Sequence, residues 1–163
     1  MKTTEEILKE KYVREFGKFA TCFGCRSEGI GATGYETESG HVVGEITAKE
    51  CHEGFEGVIH GGIIGTYFDE VMWKQTRVML PEMYCMTVEM NVKYLKPVHV
   101  GDHIKVVTSP GAINGRLVTA TAELVLPDGS VAATSEGKYI AMKDEKFNDA
   151  EKKRPGTADK LLV

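Results

Sequence analysis

Val58-Ile59-His60-Gly61-Gly62-Ile63-Ile64-Gly65-Thr66-Tyr67-Phe68-Asp69-Glu70-Val71-Met72-Trp73 decides how the rest of the chain is read. Two glycines behind a histidine open a turn, and no proline interrupts the run from Gly62 to Leu80. Apolar residues fill too many positions for a helix with one wet side, and a helix apolar almost all round is a buried one. At ~1.5 Å per residue it spans roughly 28 Å, enough to cross a small domain. Asp69 lies two turns past Gly62 on nearly the same face, with Gly65, Thr66, Met72, Trp73 and Thr76 on or beside it. A carboxylate on an apolar face is costly unless it is paired, hydrogen-bonded or used. Asp69 has no cation at helical spacing, which points to use. Glu70 points about 100° away and has Lys74 four residues on, with Arg77 one turn beyond, so it reads as an exposed, structural pair.

Downstream of this helix the period changes from helix to strand. Val88, Met90, Val92 and Tyr94 alternate with Thr87, Glu89, Asn91 and Lys93, the pattern of a half-buried antiparallel strand over 86–94. Lys96-Pro97 ends it, and Gly101-Asp102 turns the chain into a strand over 103–108. Asn114-Gly115 signals a hairpin into 116–126, and Pro127-Asp128-Gly129 turns again into 131–142. Upstream, 33–37 and 42–47 are short strands joined through Glu38-Ser39-Gly40. Thr3 and Glu6 form a capping box, and Leu8, Tyr12, Phe16 and Phe19 recur at helical spacing, so 3–19 is expected to be a surface helix. Residues 48–59 read as an active loop feeding the central helix, and 143–163 as a polar, loosely held tail containing Pro155-Gly156 and room for a short helix. The expectation is a single α+β domain with its core over about 20–142, built as an antiparallel sheet curled round one helix. Such a sheet leaves an edge that a second copy can cover.

The 20 Lys and Arg against 24 Asp and Glu give mild acidity and no basic stripe, which argues against nucleic acid as a partner. No apolar stretch has the length of a membrane span and no export signal opens the chain, so a cytoplasmic protein is expected. The four cysteines are therefore expected as reduced thiols. Cys22-Phe23-Gly24-Cys25 has C-x-x-C spacing, but no second such pair follows, so an inert reading is favoured over a metal.

The run His60-Gly61-Gly62 with Asp69-Glu70 nine and ten residues on resembles the hotdog-fold acyl-CoA thioesterases of the phenylacetate-degradation type. So do Cys22-Phe23-Gly24-Cys25, Gly57-Val58-Ile59, Met86-Thr87 and Asn91-Val92-Lys93-Tyr94-Leu95-Lys96-Pro97-Val98. The resemblance covers roughly 20–142. It implies a hotdog fold, a homodimer or dimer of dimers, and hydrolysis of an acyl-CoA thioester with neither metal nor separate cofactor, coenzyme A being part of the substrate. It further implies that Asp69 serves as nucleophile or as base for water, and that the Gly62 N–H polarises the thioester carbonyl. Some relatives use a hydroxyl on the strand after the helix, where Thr87 stands, although its strand phase points it away from the helix. Others carry an asparagine six residues before the histidine, where this chain has Gly54.

Elementary chemistry supports the same residues. Thioester hydrolysis needs an oxyanion donor, a base or nucleophile, and a slot that excludes bulk water. The first turn of the central helix offers free N–H groups and the positive end of the dipole, and Gly61 and Gly62 let a carbonyl approach closely. His60 is read as capping the helix or orienting the loop. Phe68, Met72, Trp73 and Met90 suggest an apolar acyl pocket, and Lys93 and Lys96 are candidates for the phosphates of coenzyme A. Two other readings share the fold: an acyl-carrier dehydratase using His52 and Glu70, and a non-catalytic acyl-CoA-binding module. Because seven residues of helix separate Gly62 from Asp69 by about 10 Å, one aspartate cannot reach the amide at its own helix start. Two such helices antiparallel at a two-fold axis would bring the groups together.

Overall fold

The computed structural model describes residues 2–154, 156 and 158–162. Pro155, read above as part of the tail, lies outside them. In chain order the elements are α1 (Thr4–Ile7), β1 (Tyr12–Glu15), β2 (Thr33–Thr37), β3 (Val42–Thr47), β4 (Glu53–Phe55), β5 (Val58–Ile59), α2 (Gly61–Met79), β6 (Cys85–Tyr94), β7 (His103–Asn114), β8 (Leu117–Val125), β9 (Val131–Ala141), α3 (Glu145–Lys152) and β10 (Lys160–Leu161). Eight strands make one antiparallel sheet in the order β10-β1-β2-β3-β7-β8-β9-β6, and β4 and β5 form a separate small hairpin. The α+β class and the sheet wrapped round one helix are as expected.

The central helix is buried on nearly every side, packing against β2, β3, β6, β7, β8 and β9. Tyr67, Phe68, Val71 and Met72 are sealed against Val42, Ile46, Ile104, Val106, Val118 and Leu124 of the sheet. Even its buried amide is satisfied, since Gln75 Oε1 accepts from Val42 N–H and from the Thr108 hydroxyl, and its Nε2 donates to Gly40 O. Gly44 of β3 lies so close to α2 that a Cβ there would overlap the Val71 side chain. Among the described residues no helix is long and apolar enough to cross a membrane.

Three expectations are corrected. The helix over 3–19 stops after one capped turn at Ile7, and Tyr12–Glu15 joins the sheet beside β2. The spacing of four between Leu8, Tyr12 and Phe16 fits a strand's period of two as well as a helix's, and the sheet wins by stacking Tyr12 on Tyr35 and pairing Arg14 with Glu36. The tail is docked rather than loose: β10 pairs with β1, and Asp159 accepts from Arg77 and from Gly17 N–H. The buried core therefore extends upstream of residue 20, to Phe16 and Ile7, and the sheet extends downstream of 142 through β10. The stretch 48–59 is not an unstructured loop, because a short 3-10 turn (Glu50–His52) leads into the β4–β5 hairpin, turned at Gly57 with φ 73°.

The two sheet ends differ. One is the two-residue β10; the other is the ten-residue β6, bare along its outer side, with Met86, Val88, Tyr94 and the following Leu95 exposed. The packing of α2 makes a signed prediction from one chemical change at two glycines. Gly65→Ala places its Cβ 3.8 Å from Met90 Cε within a helix, and it should raise stability by up to about 1 kcal/mol. Gly44→Ala should lower it by about 1–3 kcal/mol, because Val71 has no free rotamer space. Urea midpoints that move the same way in both variants would contradict this account.

Candidate active site

The helix start is assembled from three directions. His60 is the N-cap of α2, and its Nδ1 accepts from Gly62 N–H at 2.9 Å. His60 N–H donates to His52 O at 2.9 Å, and the Tyr94 hydroxyl donates to Gly61 O at 2.9 Å. The capping role expected of His60 is what the structure shows. Gly62 is exposed, but its amide is occupied by the imidazole, so an incoming carbonyl has to displace Nδ1. At Gly54, where some relatives carry the asparagine, a Cβ would sit 3.0 Å from His60 Cα, so a side chain there would press on His60. Beside this corner lies an apolar cavity of about 620 Å³, lined by Ile59, Ile64, Tyr94, Leu95 and Lys96 among others.

Two turns along the helix, Asp69 stands half-buried, and its Oδ1 accepts from the Thr87 hydroxyl at 2.7 Å. Burial raises its pKa above the ordinary 3.8, the Thr87 hydrogen bond pulls it down, and the neighbouring Glu70 pushes it up. Thr87 reaches this place through an irregularity. It pairs with Tyr139 of β9, and the register then shifts before Glu89, leaving Val88 bulged outward and exposed. The bulge turns Thr87 towards the helix, against the phase that simple alternation assigns it. Tyr139, which sequence reasoning missed, is fully buried, and its hydroxyl has no hydrogen-bond partner among the described residues. Burial, with the charge of Asp69 adding to it, raises its pKa. The pairing of β9 with β6 that places it there is a long-range register that no local signal carried.

Other candidates fall elsewhere. Phe68 and Met72 are 0% exposed and belong to the core, so they do not line a pocket in this chain. Trp73 donates through Nε1 to Cys85 O at 2.9 Å and packs on Phe19 and Tyr84, which makes it a wall of the fold. Met90 packs against the core beside Gly65. Lys93 and Lys96 are both exposed, and only Lys96 reaches the cavity. His52 and Glu70 do not form a dehydratase pair. His52 is buried, with Nδ1 on the Tyr67 hydroxyl at 2.8 Å and Nε2 on Gly29 O at 3.3 Å. Glu70 is ion-paired with Lys74, as read, but the pair is buried rather than exposed, and Arg77 turns instead to Asp159. Glu70 also receives the thiols of Cys22 and Cys25. These three residues are the one cluster of potential metal donors among the described residues, but the Lys74 ammonium already on the carboxylate opposes a cation there.

The sequence profile of the thioesterase superfamily matches residues 56–133. A Caenorhabditis elegans protein named for an inferred esterase activity is 31% identical over 141 residues, covering 85% of this chain and 78% of that one. The chain belongs to the thioesterase superfamily. Its fold is shared with the Escherichia coli PaaI protein of the phenylacetic acid degradation operon (TM-score 0.64, 15% identity, 69% of this chain and 80% of that one). It is shared too with a Streptococcus mutans protein bound to acetyl CoA (TM-score 0.58, 16% identity, 63% and 82%). Within this thioesterase fold, the chain holds the Asp69–Thr87 pair and the glycine corner about 10 Å apart along one helix.

The carboxylate's environment can be read from stability against pH. A carboxyl whose folded pKa lies above its unfolded value is no burden below the unfolded value. It weakens folding progressively as pH rises through the folded one. Asp69→Asn should therefore melt near the wild-type temperature in acid and above it at neutral pH. Thr87→Val, which removes the hydrogen bond favouring the anion, should widen the wild-type pH dependence. A lower melting temperature for Asp69→Asn at neutral pH would mean that Asp69 is a satisfied structural acid.

Proposed function

We propose that this chain hydrolyses an acyl-CoA thioester in a homodimer whose active sites are shared between subunits. The observation that carries the reading is the half-buried Asp69 carboxylate, held among the described residues by the Thr87 hydroxyl alone. Asp69 accepts a proton from water, and the hydroxide so formed attacks the thioester carbon. Thr87 holds the carboxylate in place. The oxyanion replaces His60 Nδ1 as acceptor from Gly62 N–H, with Gly61 leaving room for its approach. The tetrahedral intermediate expels the coenzyme A thiolate, and the proton on Asp69 returns to it. The acyl chain occupies the cavity beside Ile59, Ile64 and Tyr94, and Lys96 meets the phosphates, with Lys93 further along the same strand end. A family neighbour that holds acetyl CoA supports this ligand class.

Two observations support the dimer. A thioester carbon needs its donor within ~3 Å and its attacking group within ~3–3.5 Å, which Gly62 and Asp69 of one chain cannot supply together. The bare β6 edge with its exposed Met86, Val88 and Tyr94 supplies a self-complementary seam close to both groups.

Release of free thiol across a panel of acyl-CoAs tests the reaction; tight binding without release would identify a binding module instead. Asp69→Asn should lower kcat by roughly 10²–10⁴ with the fold intact, and Thr87→Val should lower it while its melting temperature in acid, where Asp69 is protonated, changes little. Glu70→Gln, which strands the buried Lys74, should lose stability while keeping turnover per folded molecule. The opposite pattern at 69 and 70 would assign the wrong acid.

Sharing of the site has its own test. Chains carrying Asp69→Asn and chains carrying Gly62→Val are each inactive but dimeric. When mixed, half of the dimers are heterodimers with one intact site of two, so activity should recover to about a quarter of wild type. Confirmed subunit exchange without recovery would place both groups in one chain.

A further inference from the structure

Cys22-Phe23-Gly24-Cys25 meets Glu70, on a different side of α2 from the Asp69–Thr87 pair. The Cys25 N–H donates to Cys22 O at 3.2 Å, closing a turn that brings the two Cα atoms within about 7 Å. Both sulfurs and a carboxylate oxygen of Glu70 lie within 4.8 Å of one another. Gly24 lets the carboxylate in, since a Cβ there would overlap the Glu70 side chain. Lys74, 2% exposed, fixes that carboxylate from the other side.

The two thiols are unequal. Cys22 is half-buried; hydrogen bonds to its sulfur from the Cys25 thiol and from the N–H groups of Cys25 and Gly24 bring its pKa down to about 6, against burial and the charge of Glu70, whose Oε2 lies 3.5 Å from Sγ. Cys25 is buried; the Cys22 sulfur, burial and Glu70 all push its pKa up, so it keeps its proton, with Sγ 3.1 Å from Glu70 Oε1. Arg154 adds a positive charge on the outer side, through its bond to the Thr21 hydroxyl. An accessible, anion-stabilised sulfur beside a buried, protonated one in C-x-x-C spacing is the arrangement that thiol–disulfide exchange requires. Cys51 is exposed without such partners, and Cys85 is buried behind the Trp73 indole.

We propose that Cys22 and Cys25 form a redox-active dithiol that exchanges with low-molecular-weight disulfides, with Glu70 receiving the proton of Cys25. The Cys22 thiolate attacks one sulfur of a disulfide such as oxidised glutathione, forming a mixed disulfide and expelling one thiolate. Cys25 then transfers its proton to Glu70 and attacks Cys22 Sγ. This closes the intramolecular disulfide and expels the second thiolate, which leaves with a proton from solvent. The two cysteine sulfurs are oxidised, the small disulfide is reduced to two thiols, and a thiol in excess reverses both steps. The chemistry stands or falls independently of the thioesterase reading.

The reduced chain, equilibrated in glutathione buffers of graded ratio, quenched with an alkylating agent and weighed intact, tests this. As the buffer becomes oxidising, two of the four thiols should escape alkylation together with the loss of two hydrogens, and peptide mapping should place the link between Cys22 and Cys25. Dithiothreitol should restore all four. Cys25→Ser should accumulate glutathione on Cys22, whereas Cys22→Ser should form neither link nor adduct at Cys25. Glu70→Gln, which removes both the acceptor for the Cys25 proton and a negative charge beside the Cys22 sulfur, should slow ring closure by roughly tenfold or more without slowing the first attack, a split that mere loosening of the loop does not produce. Full alkylation at every ratio, or glutathione on Cys51 with Cys22 still reduced, would overturn the proposal. The wild-type measurement alone decides if a variant fails to fold.

Discussion

A helix enclosed by a sheet has to dispose of every charge it carries, and α2 carries two carboxylates side by side near its middle. The fold treats them differently. Glu70 turns towards β2 and the Cys22–Cys25 turn, where a buried lysine and two thiols surround it. Asp69 turns towards β6, where one hydroxyl meets it. The 100° between successive helical side chains is enough to give one acid a complete set of partners and the other almost none. Burial is the main cost of ionising Asp69, and the charge of Glu70 adds a smaller one. An under-solvated carboxylate is a liability for folding, and the reaction proposed above uses that same group for proton transfer.

The partner of Asp69 shows how a local defect in a regular element creates a site. A strand that alternated faithfully from Cys85 to Tyr94 would point Thr87 at solvent, together with Glu89 and Asn91. One bulged residue, Val88, reverses the phase for the first part of β6 and leaves the rest facing as before. The hydroxyl thus comes from a strand whose other polar residues stay on the wet side, and the carboxylate is met without a charged group entering the core.

Much of this architecture was readable because it is local. The buried helix, the two strands 33–37 and 42–47, and the turns at Asn114-Gly115 and Asp128-Gly129 coincide with their structural counterparts, since glycine punctuation and apolar period specify them directly. Asp69 and His60 stood out because each breaks the chemistry of its surroundings. What was not readable depends on distant partners. Residues 12–15 become a strand because β2 and the docked tail offer ladders on both sides. The tail docks because Asp159 finds Arg77 and Gly17, residues more than 80 positions away. Phe68 and Met72 look like pocket walls from their place on the helix, but the sheet closes over that face, and the cavity opens at the helix start instead.

The position of the cavity bears on the dimer proposed above. It adjoins the glycine corner and Tyr94, at one end of β6, while Asp69 and Thr87 meet near the other end of the same strand. An antiparallel pairing of two β6 edges superposes opposite ends, which sets the corner of one chain against the carboxylate of the other. The same pairing covers Met86, Val88 and Tyr94 and satisfies the open ladder of a ten-residue edge. Catalytic geometry and edge protection therefore ask for one and the same contact. A lone chain with a complete site would have to bend α2 back on itself, which the surrounding sheet forbids.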